Sequence, residues 1–138
     1  MRFSPPDIAG SCYTVSMDQR NRRFLKIVTV EIDDIQDDLE LLVNTLTQRY
    51  QDGAITEYVY NENLAFLRHE MRGSRSVREA VASIDPSCCE DLDALVAHIK
   101  KRVKEHVHNH DLAEAIELMV DRKLDKVHDY VKQSEPLT

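Results

Sequence analysis

The sequence predicts an all-α protein, a helical bundle of four to five helices with a long N-terminal helix and antiparallel helical hairpins. Three observations carry that expectation. Leu25, Val28, Ile32, Ile35, Leu39, Leu42, Leu46 and Arg49 follow one another in alternating steps of three and four, and all but the last are apolar. That spacing is the seam of an amphipathic helix. The 138 residues include only three Gly and four Pro, too few for the turns of a many-stranded sheet. At 42% hydrophobic and 31% charged, the chain has the balance of a folded domain and the length to bury one core.

Residues 1–16, with Pro5-Pro6, Gly10 and scattered Ser and Thr, show no periodicity and are expected to form an irregular tail. Met17 is an alternative start. A single helical domain is expected over 17–133. Ser16-Met17-Asp18-Gln19 has the form of a capping box, so the first helix is expected from about Met17 to Tyr50. Its segment Phe24–Val30 is rich in β-branched residues and would pass as a strand in isolation. A lone strand has nothing to pair with, which favours the helix. Asp52-Gly53 supplies a left-handed stop.

Thr56 is the expected N-cap of a second helix carrying Tyr60, Leu64, Leu67 and Met71, with Gly73 closing it. The short connection makes the first two helices an antiparallel pair. Ser76-Val77-Arg78-Glu79 is a second capping box, opening a short helix that Asp85-Pro86 breaks. Ser87-Cys88-Cys89-Glu90 is a third, opening a helix with Leu92, Leu95, Val96, Ile99, Val103 and Val107 on one side. A last helix carries Leu112, Ile116, Val120, Leu124, Val127 and Val131, followed by a tail over 134–138. No Gly or Pro interrupts 88–133, so one continuous helix of roughly 65–70 Å is the alternative to two.

A formal charge of −7 opposes general binding to nucleic acid or to an anionic membrane, both of which are polyanions. No apolar run approaches the ~20 residues of a membrane span. Cys12, Cys88 and Cys89 make no disulfide framework, and bridging neighbours strains the geometry. Reduced thiols in the cytoplasm are the expectation. Ala9-Gly10-Ser11-Cys12 has the form of a lipoprotein cleavage site, but Pro5-Pro6 stands where an apolar segment would be required.

Two constellations could carry metal chemistry. Asp33/Asp37 and Asp34/Asp38 are i,i+4 pairs of like charge, each costing ~0.2–0.5 kcal/mol unless something neutralises it. Carboxylates stacked in this way can hold Mg²⁺ against a diphosphate. His106 and His110 are also i,i+4 and could share a borderline metal with Asp111, or with His128-Asp129. Cys88 and Cys89, in a first helical turn, could act as reactive thiols or as soft-metal ligands. The basic run Lys100-Lys101-Arg102-Val103-Lys104 is expected to face the acidic run of the first helix across the bundle. The other cluster, Arg20-Asn21-Arg22-Arg23, has only Phe24 beside it, which does not support stacking on single-stranded RNA.

The string Asp33-Asp34-Ile35-Gln36-Asp37 resembles the DDxxD motif of prenyl-diphosphate synthases over five residues, with no second aspartate-rich motif following. In size and helical content the chain is closer to the all-α nucleoside-triphosphate pyrophosphohydrolases, which carry acidic residues on two helices. That resemblance implies Asp34 and Asp37 as one set and Glu90 with Asp93, or Glu114 with Glu117, as the other.

Three functions follow as expectations. The first is a non-enzymatic interaction or structural module without a cofactor, pairing with itself or another protein through the first helix. Arg49 at a seam position, with apolar Ile27, Val30, Leu41 and Val43 off it, gives that helix more apolar surface than one partner needs. The second is a Mg²⁺-dependent phosphoanhydride hydrolase using Asp33, Asp34 and Asp37. The third is a metal or redox sensor built on His106, His110, Asp111, Cys88 and Cys89.

Overall fold

The computed structural model describes residues 5–134, with side chains from 19 to 134. Among the described residues there are four α-helices: α1 (Pro5–Gln51), α2 (Glu57–Ala82), α3 (Leu92–Asn109) and α4 (Glu114–Ser134). A 3-10 turn over Pro86–Cys88 links α2 to α3. Helix α1 is assigned from Pro5, where the sequence predicts an irregular tail over 1–16. The side chains of that stretch, including the Ser16 cap, lie outside the described residues.

The helices run up, down, up and down around a square. Asp33 meets Arg78 and Thr47 meets Tyr60, so α1 and α2 are antiparallel. Asp93 meets His128 and Lys100 meets Asp125, which makes α3 and α4 antiparallel. Glu31 meets Lys123 and Lys126, closing the ring between α4 and α1. Ser76 and His106 join α2 to α3. Adjacent helices share most of the contacts, while α1 and α3, like α2 and α4, are diagonal and touch only in places. This is the packing of an antiparallel four-helix bundle.

The core follows the α1 seam from Phe24 to Leu39, with Phe24, Val28 and Ile32 fully buried. Opposite them lie Val77 and Val81 of α2, Leu95, Ile99 and Val103 of α3, and Ile116, Val120 and Leu124 of α4. No helix among the described residues is long and apolar enough to cross a membrane.

Three expected boundaries are corrected. Helix α2 runs through Gly73 and Ser76 to Ala82, so the predicted second and third helices are one. Gly73 is a point of close approach: a Cβ there would stand 3.4 Å from Ile116 Cγ1. The predicted cap Ser76 turns its hydroxyl to His106. Ser87 does not start α3 either; it donates to Asp85, and Asp91 is the N-cap, accepting from the Ala94 N–H at 2.8 Å.

Two helices, not one, occupy 88–133. At the end of α3, Asp111 adopts φ 52°. The Leu112 N–H then reaches Val107 O at 2.9 Å and the Asp111 N–H reaches His108 O at 3.3 Å, the paired bonds of a Schellman stop. The stop after α1 is the same: Gly53 has φ 75°, and Ala54 and Gly53 donate to Arg49 and Tyr50.

Gly73→Leu is expected to force the α2–α4 contact apart and lower unfolding free energy by about 1–3 kcal/mol, measured by urea titration. Asp111→Gly should raise it by about 0.5–1 kcal/mol, since glycine takes the left-handed conformation without a Cβ penalty.

Candidate functional site

The bundle ends before its first hairpin does. Gly73 meets the first turn of α4 at Ile116, so α1 beyond Leu39 and α2 before Glu70 project past α3 and α4. This arm is about 18 Å long at the helical rise. Its two helices hold each other through one seam. Tyr50 stacks on Tyr60 with ring centroids 4.5 Å apart, and the Thr47 and Tyr60 hydroxyls are hydrogen-bonded at 3.1 Å.

The face of the arm that continues the core stripe is uncovered. Leu39 is 5% exposed, but Leu42, one step further along the seam, is 52% exposed. On α2 the stripe Val81, Val77, Ser74, Glu70 continues by helical period to Phe66 and Val59, and Phe66 is 60% exposed. Sequence periodicity marked Leu42 and Leu46 as seam residues. It does not mark Leu42 as surface and Leu46 as only half-covered, because that depends on where α3 and α4 stop.

The acidic run of α1 lies on the outer face of the base. Asp33 is held by Arg78, with Nε to Oδ1 at 3.0 Å and a second contact at 3.4 Å. That guanidinium offsets the repulsion between Asp33 and Asp37. Asp34, Asp37 and Asp38 are exposed. Asp33 borders a crevice of about 210 Å³ between α1 and α2, with Gln36, Arg75 and the buried Ser74. Gln36 donates to Met71 O and accepts from Arg75 with its amide so turned, both at 3.1 Å.

The other acidic sets lie elsewhere. Asp93 accepts from His128 at 2.7 Å and pairs with Lys132, and Glu114 and Glu117 border a cleft of about 540 Å³ at the α3–α4 corner. Lys100 pairs with Asp125 of α4 at 2.6 Å. The expected pairing of the α3 lysines with the α1 carboxylates is therefore corrected: those helices are diagonal, and α1 instead uses Lys123, Lys126 and Arg78.

His106 and His110 do come together, with ring centroids 4.1 Å apart. His106 Nε2 shares a 2.7 Å hydrogen bond with Ser76 Oγ, and His110 Nδ1 lies 3.0 Å from His106 O. Burial, reinforced by the charges of His110 and Arg102, lowers the His106 pKa. Asp111 is exposed at the turn beside them. Cys88 and Cys89 precede α3 while these histidines end it, roughly 27 Å away along the helix axis. The two sets are not one site. Among the described residues, no three His, Cys, Asp or Glu side chains are grouped to hold a metal ion.

The cysteines sit at the base, on the loop that enters α3. Their sulfurs are 3.1 Å apart, with Cys88 exposed and Cys89 half-buried. Burial, then hydrogen bonding and charge from Cys88, then the charge of Asp91, push the Cys89 thiol up to about 11. Asn21 of α1, 2% exposed, donates from Nδ2 to Pro86 O at 3.1 Å and to Cys89 O at 3.2 Å. Sequence reasoning read Asn21 as part of a basic cluster. The seam period extended one step back from Leu25 would have placed it inside. Its neighbours Arg22, Arg23 and Lys26 line a cleft of about 530 Å³ against Ala82, Ile84 and Pro86.

A folded-state pKa below the ordinary imidazole value makes the unfolded chain bind the His106 proton more tightly. Stability should be full above pH 6.5 and fall as pH drops through the lowered folded value. Glu31 and Asp93 titrate in a lower window. Burial raises the Glu31 pKa, but Lys126 and Lys123 outweigh it, and the His128 hydrogen bond with Lys132 lowers that of Asp93. In His106→Gln the stability slope just below neutrality should flatten, read from urea midpoints across pH. No family model, curated protein or solved structure matches the chain, which leaves this geometry as the guide to its role.

Proposed function

We propose that this protein is a non-enzymatic interaction module whose α1–α2 arm pairs with the same arm of a second copy. The carrying observation is the uncovered continuation of the core stripe: Leu42 and Phe66 are more than half exposed on the face that the bundle covers elsewhere. Two arms laid face to face and antiparallel would give each pair of helices the two partners it lacks. Such an isologous contact needs no surface beyond the one each chain already carries.

Val59, 38% exposed, lies one heptad repeat from Phe66 on this face, and half-buried Leu46 follows Leu42. The three-and-four spacing from Leu39 through Leu46 suits the knobs-into-holes packing of a short coiled coil. Burying an exposed Leu or Phe contributes about 1.5–3 kcal/mol. An arm about 18 Å long and two ~10 Å helices wide offers on the order of 400 Å² per partner, about half that of a stable specific interface and in the range of transient pairing. The association is accordingly weak and reversible. Two chains of charge −7 repel each other, so added salt strengthens the pair. The composition and unframed cysteines suit a reducing cytoplasmic setting.

Light scattering across a concentration series should show the average mass rising from one chain toward two, with the midpoint moving to lower concentration at higher salt. Leu42→Asp with Phe66→Asp should hold the mass at one chain throughout. Its thermal midpoint, read on dilute monomer, should match the parent, because neither side chain supports the base. A single-chain mass for the parent at its highest soluble concentration overturns the reading.

A further inference from the structure

We propose that Cys88 and Cys89 are a modification site for hydrogen peroxide, closing reversibly into a disulfide between adjacent residues. The site is at the base, away from the arm, and is independent of pairing between copies. The two sulfurs face each other at 3.1 Å, whereas side chains of neighbouring residues ordinarily diverge. Asn21 holds them so. Its amide nitrogen grips the carbonyls of Pro86 and Cys89, on either side of the Cys88–Cys89 peptide. Asn21 is itself buried on α1, and its Oδ1 has no hydrogen-bond partner. A buried amide with an orphaned oxygen is costly, and what it secures is the position of this dipeptide.

The two thiols differ in access, which divides the chemistry between them. Cys88 is exposed and meets the oxidant first. Its thiolate sulfur attacks one peroxide oxygen, forming the S–O bond while the O–O bond breaks. Hydroxide departs and takes a proton to become water, leaving a sulfenic acid. Cys89, half-buried beside it, then gives up its proton and attacks the Cys88 sulfur. The S–S bond forms, the S–O bond breaks, and the Cys89 proton leaves with the hydroxyl as a second water. Two thiols lose two electrons and peroxide gains them.

Cα atoms of adjacent residues are ~3.8 Å apart across a trans peptide, short of the ~4.4–6.8 Å of ordinary bridges. The bond is strained and easily reduced. That is the property of a reversible mark, not of a structural staple.

The full chain carrying Cys12→Ser, which removes the third thiol, is treated with equimolar hydrogen peroxide, blocked with iodoacetamide and mapped by mass spectrometry. The peptide containing both cysteines is expected to be lighter by two hydrogen atoms and unalkylated, with both alkylation sites restored by dithiothreitol. With Cys89→Ser added, dimedone should trap Cys88 as its sulfenic acid adduct, which the parent pair consumes. The proposal is overturned if both cysteines remain alkylatable after peroxide. It is also overturned if Cys88 proceeds to sulfinic acid beside a free Cys89, or if the bridge joins two chains.

Discussion

The apolar stripe that runs down α1 from Phe24 to Leu46 is longer than the helices available to cover it. Helix α3 has 18 residues and α4 has 21, against 26 in α2 and a longer run still in α1. Cover stops where the corner between α3 and α4 turns, at the contact between Gly73 and Ile116. The open face of the arm follows from that mismatch. Below the corner the stripe is core, and its side chains are locked by partners on three sides. Above it the same spacing yields surface, and a leucine that would be structural becomes available to something outside the chain.

Charge arranges itself around this frame and does not determine it. The ion pairs described between helices join neighbours in the ring, and most are solvent-accessible, a class that contributes about 0–1 kcal/mol apiece. Glu31 is the better-covered case, its side chain 20% exposed between Lys123 and Lys126. Asp121, by contrast, has a buried Oδ1 without a partner. Burial raises its pKa, Lys100 and Lys104 lower it, and the negative charge of Asp125 pushes it up again. The paired residues select which helix faces meet, while apolar burial supplies the driving force.

Much of the fold was legible in the sequence. The seam of α1, the Thr56 cap with its bond to the Val59 N–H, and the Gly53 stop stand where the residues suggest. The errors share a cause: local rules read short polar and glycine signals without knowing what would pack against them. Gly73 looked like a stop and is a contact. Ser76 looked like a cap and is a partner for His106. The true cap of α3, Asp91, was hidden in an acidic run that offered several equivalent candidates. Lysine and aspartate blocks of opposite sign looked complementary, but sequence carries no information about which helices are diagonal. Of the candidate sites, the two cysteines are adjacent in any fold and the His106–His110 spacing requires only a helix. The open face of the arm needed the lengths of two other helices, and the latch at Asn21 needed a contact spanning more than sixty positions.

The stacked tyrosines near the tip of the first hairpin bear on how the molecule loosens. Above the corner, each of the two helices has only its sister to lean on, so separating them exposes one seam and leaves the four-layered end intact. Backbone amides there should open through small local excursions, while those beneath are released only when the entire chain melts. The protein is thus graded along its axis, firm at one pole and yielding at the other.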